Sequence, residues 1–180
     1  MWRFLSTDLK EARFSADKHK KTVLLFAIVA LGFSFSVLFA VLAPLGREVG
    51  LTEFQISTIL AASSLTMFLA SPRWGRLSDR VGRKRIMIIG LLGYVVGNLL
   101  FTSIFKLAML GMLIPITAYL ALMLARTLNA MLMSAIMPSA NAYMADMTDE
   151  SSRTKGMGAV GAANTLGAII GPAGGGLLAG

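Results

Sequence analysis

Chemistry in a chain needs groups that carry or exchange charge, and in this sequence they are few and unevenly placed. Cysteine is absent, which removes thiolate nucleophiles, thiolate metal ligands and disulfides. The single histidine, His19, stands among Lys18, Lys20 and Lys21 and reads as part of a solvated basic segment. No acid–base pair, nucleophile with its base, metal cluster or phosphate-binding glycine loop is present, so the residues point to no enzyme, no metal and no cofactor. What remains is ion pairing. Asp79 lies among Arg73, Arg76, Arg80, Arg83, Lys84 and Arg85, where it forms charge-assisted hydrogen bonds with one of them. Arg126 is the one charge between Lys106 and Asp146.

The elements that position these residues are apolar and long. The chain is 56% hydrophobic and 14% charged, with a mean hydropathy of +0.71, a composition foreign to soluble domains of this size. Apolar runs of about 18 residues or more cross a bilayer as helix, whereas barrel strands alternate and are shorter. The expected fold is therefore an all-α polytopic membrane protein. Uncharged stretches run over 22–46, 54–72, 86–105, 107–125, 127–145 and 156–180. Those at 107–125 and 127–145 are one residue apart and leave no room for a turn. Placing the return near 106–119, where Gly111 and Pro115 interrupt the helix, gives five helices near 22–45, 53–72, 84–108, 119–146 and 154–178.

Charge orients them. All but Arg47, Lys106 and Arg126 of the 17 Lys and Arg residues fall before the first helix, between 73 and 85, or at Arg153 and Lys155. The positive-inside rule puts those segments, with the amino terminus, in the cytoplasm. The basic surplus thus serves topology and not nucleic acid. Residues 1–21 form a cytoplasmic basic segment, either a surface helix carrying Trp2, Phe4, Leu5, Leu9 and Phe14 or a disordered tail.

Two spacings are specific. Gly75, Asp79, Arg80, Gly82, Arg83, Lys84 and Arg85 fit G-x-x-x-D-R-x-G-R-K-R, with Gly75 allowing close approach of a helix and Gly82 a turn closed to other residues. Gly158, Gly167, Gly171, Pro172, Gly175 and Gly176 fit G-x8-G-x3-G-P-x-x-G-G, in which small residues let helix backbones meet and the proline bends the helix. The first pattern resembles the loop between helices 2 and 3 of major facilitator superfamily transporters, and the second resembles the helix 5 motif of that family's antiporters, drug/proton exchangers in particular. The resemblance implies that Asp79 and Arg83 form a cytoplasmic lock between transporter halves, with Asp146 or an acid of Asp149-Glu150 as a further partner, and that the glycine-proline helix seals the pathway.

Arg126-Thr127-Leu128-Asn129-Ala130 resembles the helix 4 pattern R-x-x-Q-G, with Asn129 and Ala130 replacing Gln and Gly. Burial of such a cation is costly, and snorkelling toward the outer surface relieves it. Arg126, Asn129, Met133, Met137, Ala140 and Met144 share a helical face, pliable enough for varied apolar ligands. With Asn164 it is the candidate substrate and proton pathway.

The sequence thus reads as the amino-terminal portion, helices 1 to 5, of a major facilitator superfamily fold in a bacterial-type inner membrane. The resemblance implies proton-coupled efflux of a drug or small metabolite by alternating access. Expected partners are a small-molecule substrate, protons, the lipid bilayer and carboxy-terminal helices of a longer protein. An uptake symporter or facilitator of the same fold, or a short membrane subunit that transports nothing, are the alternatives.

Overall fold

A computed structural model describes residues 2–179, with side chains from 18 to 174. Among the described residues there is no strand. The first helix, α1, runs over Trp2–Glu48. The basic segment and the first apolar span are therefore one continuous helix, with no break at 21–22. The side chains of Trp2, Phe4, Leu5, Leu9 and Phe14 lie outside the described residues.

Gly50, at φ 78°, reverses the chain, and Thr52 starts α2 (Glu53–Val81) with a capping box. The Gln55 N–H donates to Thr52 Oγ1 at 3.3 Å, and Gln55 Oε1 accepts from the Thr52 N–H at 2.9 Å. Such an exchange satisfies two donors that every helix start leaves open.

The apolar run ends at Pro72, but the helix does not. It continues through Gly75 to Val81, so the expected loop is a helical extension closed by one residue. Gly82 has φ 106°, the left-handed side that glycine alone adopts without strain. The extension holds because its polar groups turn back on the helix. Arg73 Nη1 donates to Leu69 O at 3.0 Å and Ser78 Oγ to Gly75 O at 2.7 Å. The end of an apolar run locates a membrane edge, not a helix terminus.

Helix α3 (Arg83–Met109) follows at once, and the chain turns over 110–114 with Gly111 at φ 71°. Pro115 then opens α4 (Pro115–Met133), at a position where its missing N–H costs nothing. The span expected near 119–146 carries an interruption that the sequence reading did not place. The helix is interrupted at Ser134–Ala135 and resumes as α5 (Ile136–Asp146). Pro138 explains the break, since it has no N–H for the carbonyl of Ser134 and its ring crowds that carbonyl. A short 3₁₀ turn, Glu150–Ser152, leads to α6 (Arg153–Ala179).

Among the described residues, four segments are long and apolar enough to cross a membrane: Lys18–Glu48, Glu53–Val81, Arg83–Met109 and Pro115–Asp146. Each carries large apolar side chains outward, among them Phe26, Phe68, Leu99 and Leu124. In water that would be a liability; in a bilayer such side chains are compatible with lipid or with other helices.

The chain divides into two compact units, Met1–Val37 with Met144–Gly180, and Leu38–Tyr143. In the second, α4 packs on both α2 and α3, which also meet each other. Its core is Leu42, Leu51, Ile56, Ile59, Phe101, Phe105, Leu122 and Ala125, with the Phe101 and Phe105 rings edge to face at 5.1 Å. Helix α3 faces this core with Ile86, Gly90, Tyr94, Gly97, Phe101 and Phe105, steps of three and four that keep one stripe buried. In the first unit, α1 and α6 meet backbone to backbone at glycines.

Candidate functional site

The chemistry foreseen at Asp79 is present. Asp79, in the last turn of α2, and Arg83, the first residue of α3, flank the Gly82 turn and form an ion pair, Nη1 to Oδ1, at 2.6 Å. Asp79 is 59% exposed and Arg83 28%. Water competes for this pair, so it holds the turn closed weakly and can be exchanged for another partner. Arg80, Lys84 and Arg85 are exposed around it. Gly75 is a different case from the one the sequence suggested. A Cβ there would meet only Pro138 at 3.9 Å, ordinary contact, so no close approach depends on it. Asp146 ends α5 in the other unit and is exposed.

Sequence reasoning missed the face beside this pair. Arg73, Arg76, Leu77 and Arg80, spaced to share one side of α2, line a groove of about 200 Å³. Next to it Trp74 turns toward α4, its indole Nε1 donating to Met131 O at 2.7 Å. A count of charges could not have found that bond, because its acceptor is a backbone carbonyl freed by the break at Ser134–Ala135.

Arg126 is only 3% exposed, in the middle of α4. The snorkelling that the sequence made feasible is not adopted in this structure. Arg126 is packed inside the unit, with Tyr94 within electrostatic reach. Asn129, one turn further on, is 1% exposed and donates through Nδ2 to Tyr94 O at 3.3 Å and to Asn98 Oδ1 at 3.4 Å. Its Oδ1 is buried with no hydrogen-bond partner among the described residues. Three glycines of α3 make room for α4 and the start of α5, since a Cβ at Gly97 would stand 2.5 Å from Asn129 Nδ2, one at Gly93 2.7 Å from Leu132, and one at Gly90 2.8 Å from Ile136. Their steps of three and four were visible in the sequence but were not separated from the other apolar positions of the run.

The methionine face is interrupted. Met133 is the last residue of α4 and Met137 belongs to α5, both half-buried, while Ala140 and Met144 are buried. Every position of the expected stripe is buried or half-buried on either side of the break.

In the first unit, the glycine motif of α6 divides. A Cβ at Gly167 would run into the backbone of α1 at Val29 and lie 2.7 Å from Phe33 N. One at Gly171 would stand 2.7 Å from Ser36 Cβ and 2.8 Å from Phe33 O. Gly158 has nothing within 4 Å, so packing does not require glycine there. The surroundings of Gly175 and Gly176 lie outside the described residues. Asn164 meets α1 at Gly32, where a Cβ would stand against its carbonyl and 3.2 Å from Oδ1. It is a helix-contact residue in this structure. Pro172 lies inside α6, and the helix continues past it.

Among the described residues no cluster of His, Cys, Asp or Glu could hold a metal. Every described carboxylate is exposed: Glu48, Glu53, Asp79, Asp146, Asp149 and Glu150.

These features, a multi-pass helical chain, a charged glycine turn between two spans and a glycine-proline helix, define a polytopic membrane protein. Residues 24–180 match the family model described as Major Facilitator Superfamily, and the chain belongs to that transporter family. It is 32% identical over 158 residues to the protein named "Multidrug resistance protein 2" of Bacillus subtilis strain 168, covering 88% of this chain and 36% of that protein. "Multidrug resistance protein 1" of the same strain is 31% identical, over 88% of this chain and 38% of its own length. "Quinolone resistance protein NorA" of Staphylococcus aureus is 28% identical, over 87% and 37%. The chain thus spans just over a third of the length of the relatives it matches.

Proposed function

We propose that this chain forms the first helices of a proton-coupled exporter of drugs or small metabolites in a bacterial inner membrane, with its amino terminus in the cytoplasm, working by alternating access. The observation that carries the reading is the Asp79–Arg83 pair at the turn between two spans. An exposed charge pair has little net stability, so it can be traded against another surface at small cost, as a reversible cytoplasmic lock requires. Similarity to proteins named for multidrug and quinolone resistance supports outward transport of foreign organic molecules. The basic flank of the same turn supports the orientation.

The substrate path in this reading runs along Arg126, Asn129 and Met133, with the amides of half-buried Asn98 and buried Asn129 supplying polar contacts. Proton carriage needs a carboxyl group whose pKa is set by alternating burial. The described acids are all exposed here, and the role falls either to Glu48 or Glu53, beside the turn between the first two spans, or to a group beyond Gly180 in a longer protein.

The test is drug susceptibility of cells expressing the full-length protein. Raised tolerance to a quinolone and to unrelated amphiphilic drugs, lost with Asp79→Asn at equal membrane abundance, is the expected result. Unchanged tolerance across the panel, or wild-type tolerance with Asp79→Asn, contradicts it.

A further inference from the structure

Pro172 leaves one carbonyl of α6 without its usual donor. In an α-helix the N–H of residue i+4 bonds the carbonyl of residue i, and proline at 172 has none to give Ala168. A freed carbonyl at membrane depth has no water to turn to and must be satisfied within the protein. The Ser36 hydroxyl, from α1, donates to Ala168 O at 2.8 Å.

Two observations make this more than an incidental contact. Serine and threonine in helices ordinarily bond their own carbonyl one turn back, as Thr58, Ser63 and Ser103 do here; Ser36 instead reaches the carbonyl that the proline exposes. It does so where Gly171 removes the obstacle, because a Cβ at 171 would stand 2.7 Å from Ser36 Cβ. A similar device recurs in the other unit. At the interruption beyond α4 the Ala135 N–H bonds Leu132 O at 3.1 Å, and Met131 O accepts from the Trp74 indole and the Ser134 hydroxyl instead.

We infer that Ser36 is the positioning residue of the glycine-proline helix: its hydroxyl replaces the amide missing at 172 and fixes that stretch of α6 on α1. Gly171 supplies the space, Pro172 the open acceptor and Ser36 the donor. None of the three suffices without the other two.

The test is a thermal-unfolding cycle on the full-length protein in detergent, using Ser36→Ala, Pro172→Ala and the double variant. Ser36→Ala lowers the midpoint by a few degrees when Pro172 is present. In the Pro172→Ala background it changes the midpoint little, because the alanine introduced there has an N–H that serves Ala168. Ser36→Thr, which keeps the hydroxyl, retains the wild-type midpoint. In liposomes, passive proton leak rises with Ser36→Ala and not with Ser36→Thr. An equal drop in both backgrounds, or no drop in either, overturns the inference. Should Pro172→Ala not fold, equal losses from Ser36→Thr and Ser36→Ala overturn it. The unfolding cycle does not depend on substrate, so its failure leaves the transport reading untouched, and lost transport with an intact cycle tells against that reading alone.

Discussion

At the residue scale, Asp79 and Gly82 separate the proposed switching role from folding. Asp79→Asn removes one partner of an exposed pair, so it costs stability only about 0–1 kcal/mol while transport falls at least about tenfold; unfolding and flux measured on one preparation check this. Gly82→Ala does the reverse. A side chain at φ 106° costs about 1–3 kcal/mol, visible as a lowered unfolding midpoint. The turn at Gly82 was legible in the sequence, because the chain has to reverse between two spans and a glycine stands shortly before the next apolar run. Gly75 was not, since a glycine's spacing does not say whether a neighbour is near. Burial of Arg126 was also hidden. Snorkelling depends on which way the side chain leaves the helix, and that direction is set by packing against α2 and α3.

At the element scale, helix ends depended on hydrogen bonds that hydropathy does not record. The extension of α2 past Pro72 rests on side chains bonding back to the helix, and the break beyond α4 rests on Pro138, hidden within an apolar run. The glycine stripe of α3 sets the approach of α4, so Gly97→Ala overpacks against Asn129 and destabilises by about 1–3 kcal/mol. Trp74→Phe keeps an aromatic ring but removes the indole donor to Met131 O, and loses about 1 kcal/mol. Both are read by unfolding in detergent. A neutral outcome for Trp74→Phe would show that the Ser134 hydroxyl, which donates to the same carbonyl at 2.7 Å, satisfies it alone.

At the scale of the whole molecule, fold class and family were the most legible features. Composition, the charged glycine turn and the glycine-proline helix each reflect a constraint of the bilayer or of helix contact and so appear directly in the residues. The buried polar groups were less legible, because they depend on which helices pack together, as α4 with Arg126 and Asn129 does against α3. The proposed outward transport, driven by protons and gated at Asp79, is tested in everted membrane vesicles that contain the full-length protein and hold an acid interior, with an amphiphilic fluorescent dye as substrate. Dye should accumulate in the vesicles, collapsing the pH gradient should stop it, and Asp79→Asn vesicles should accumulate little. Accumulation that persists after the gradient is collapsed, or that Asp79→Asn leaves at the wild-type rate, would show that protons do not drive this carrier or that Asp79 does not gate it.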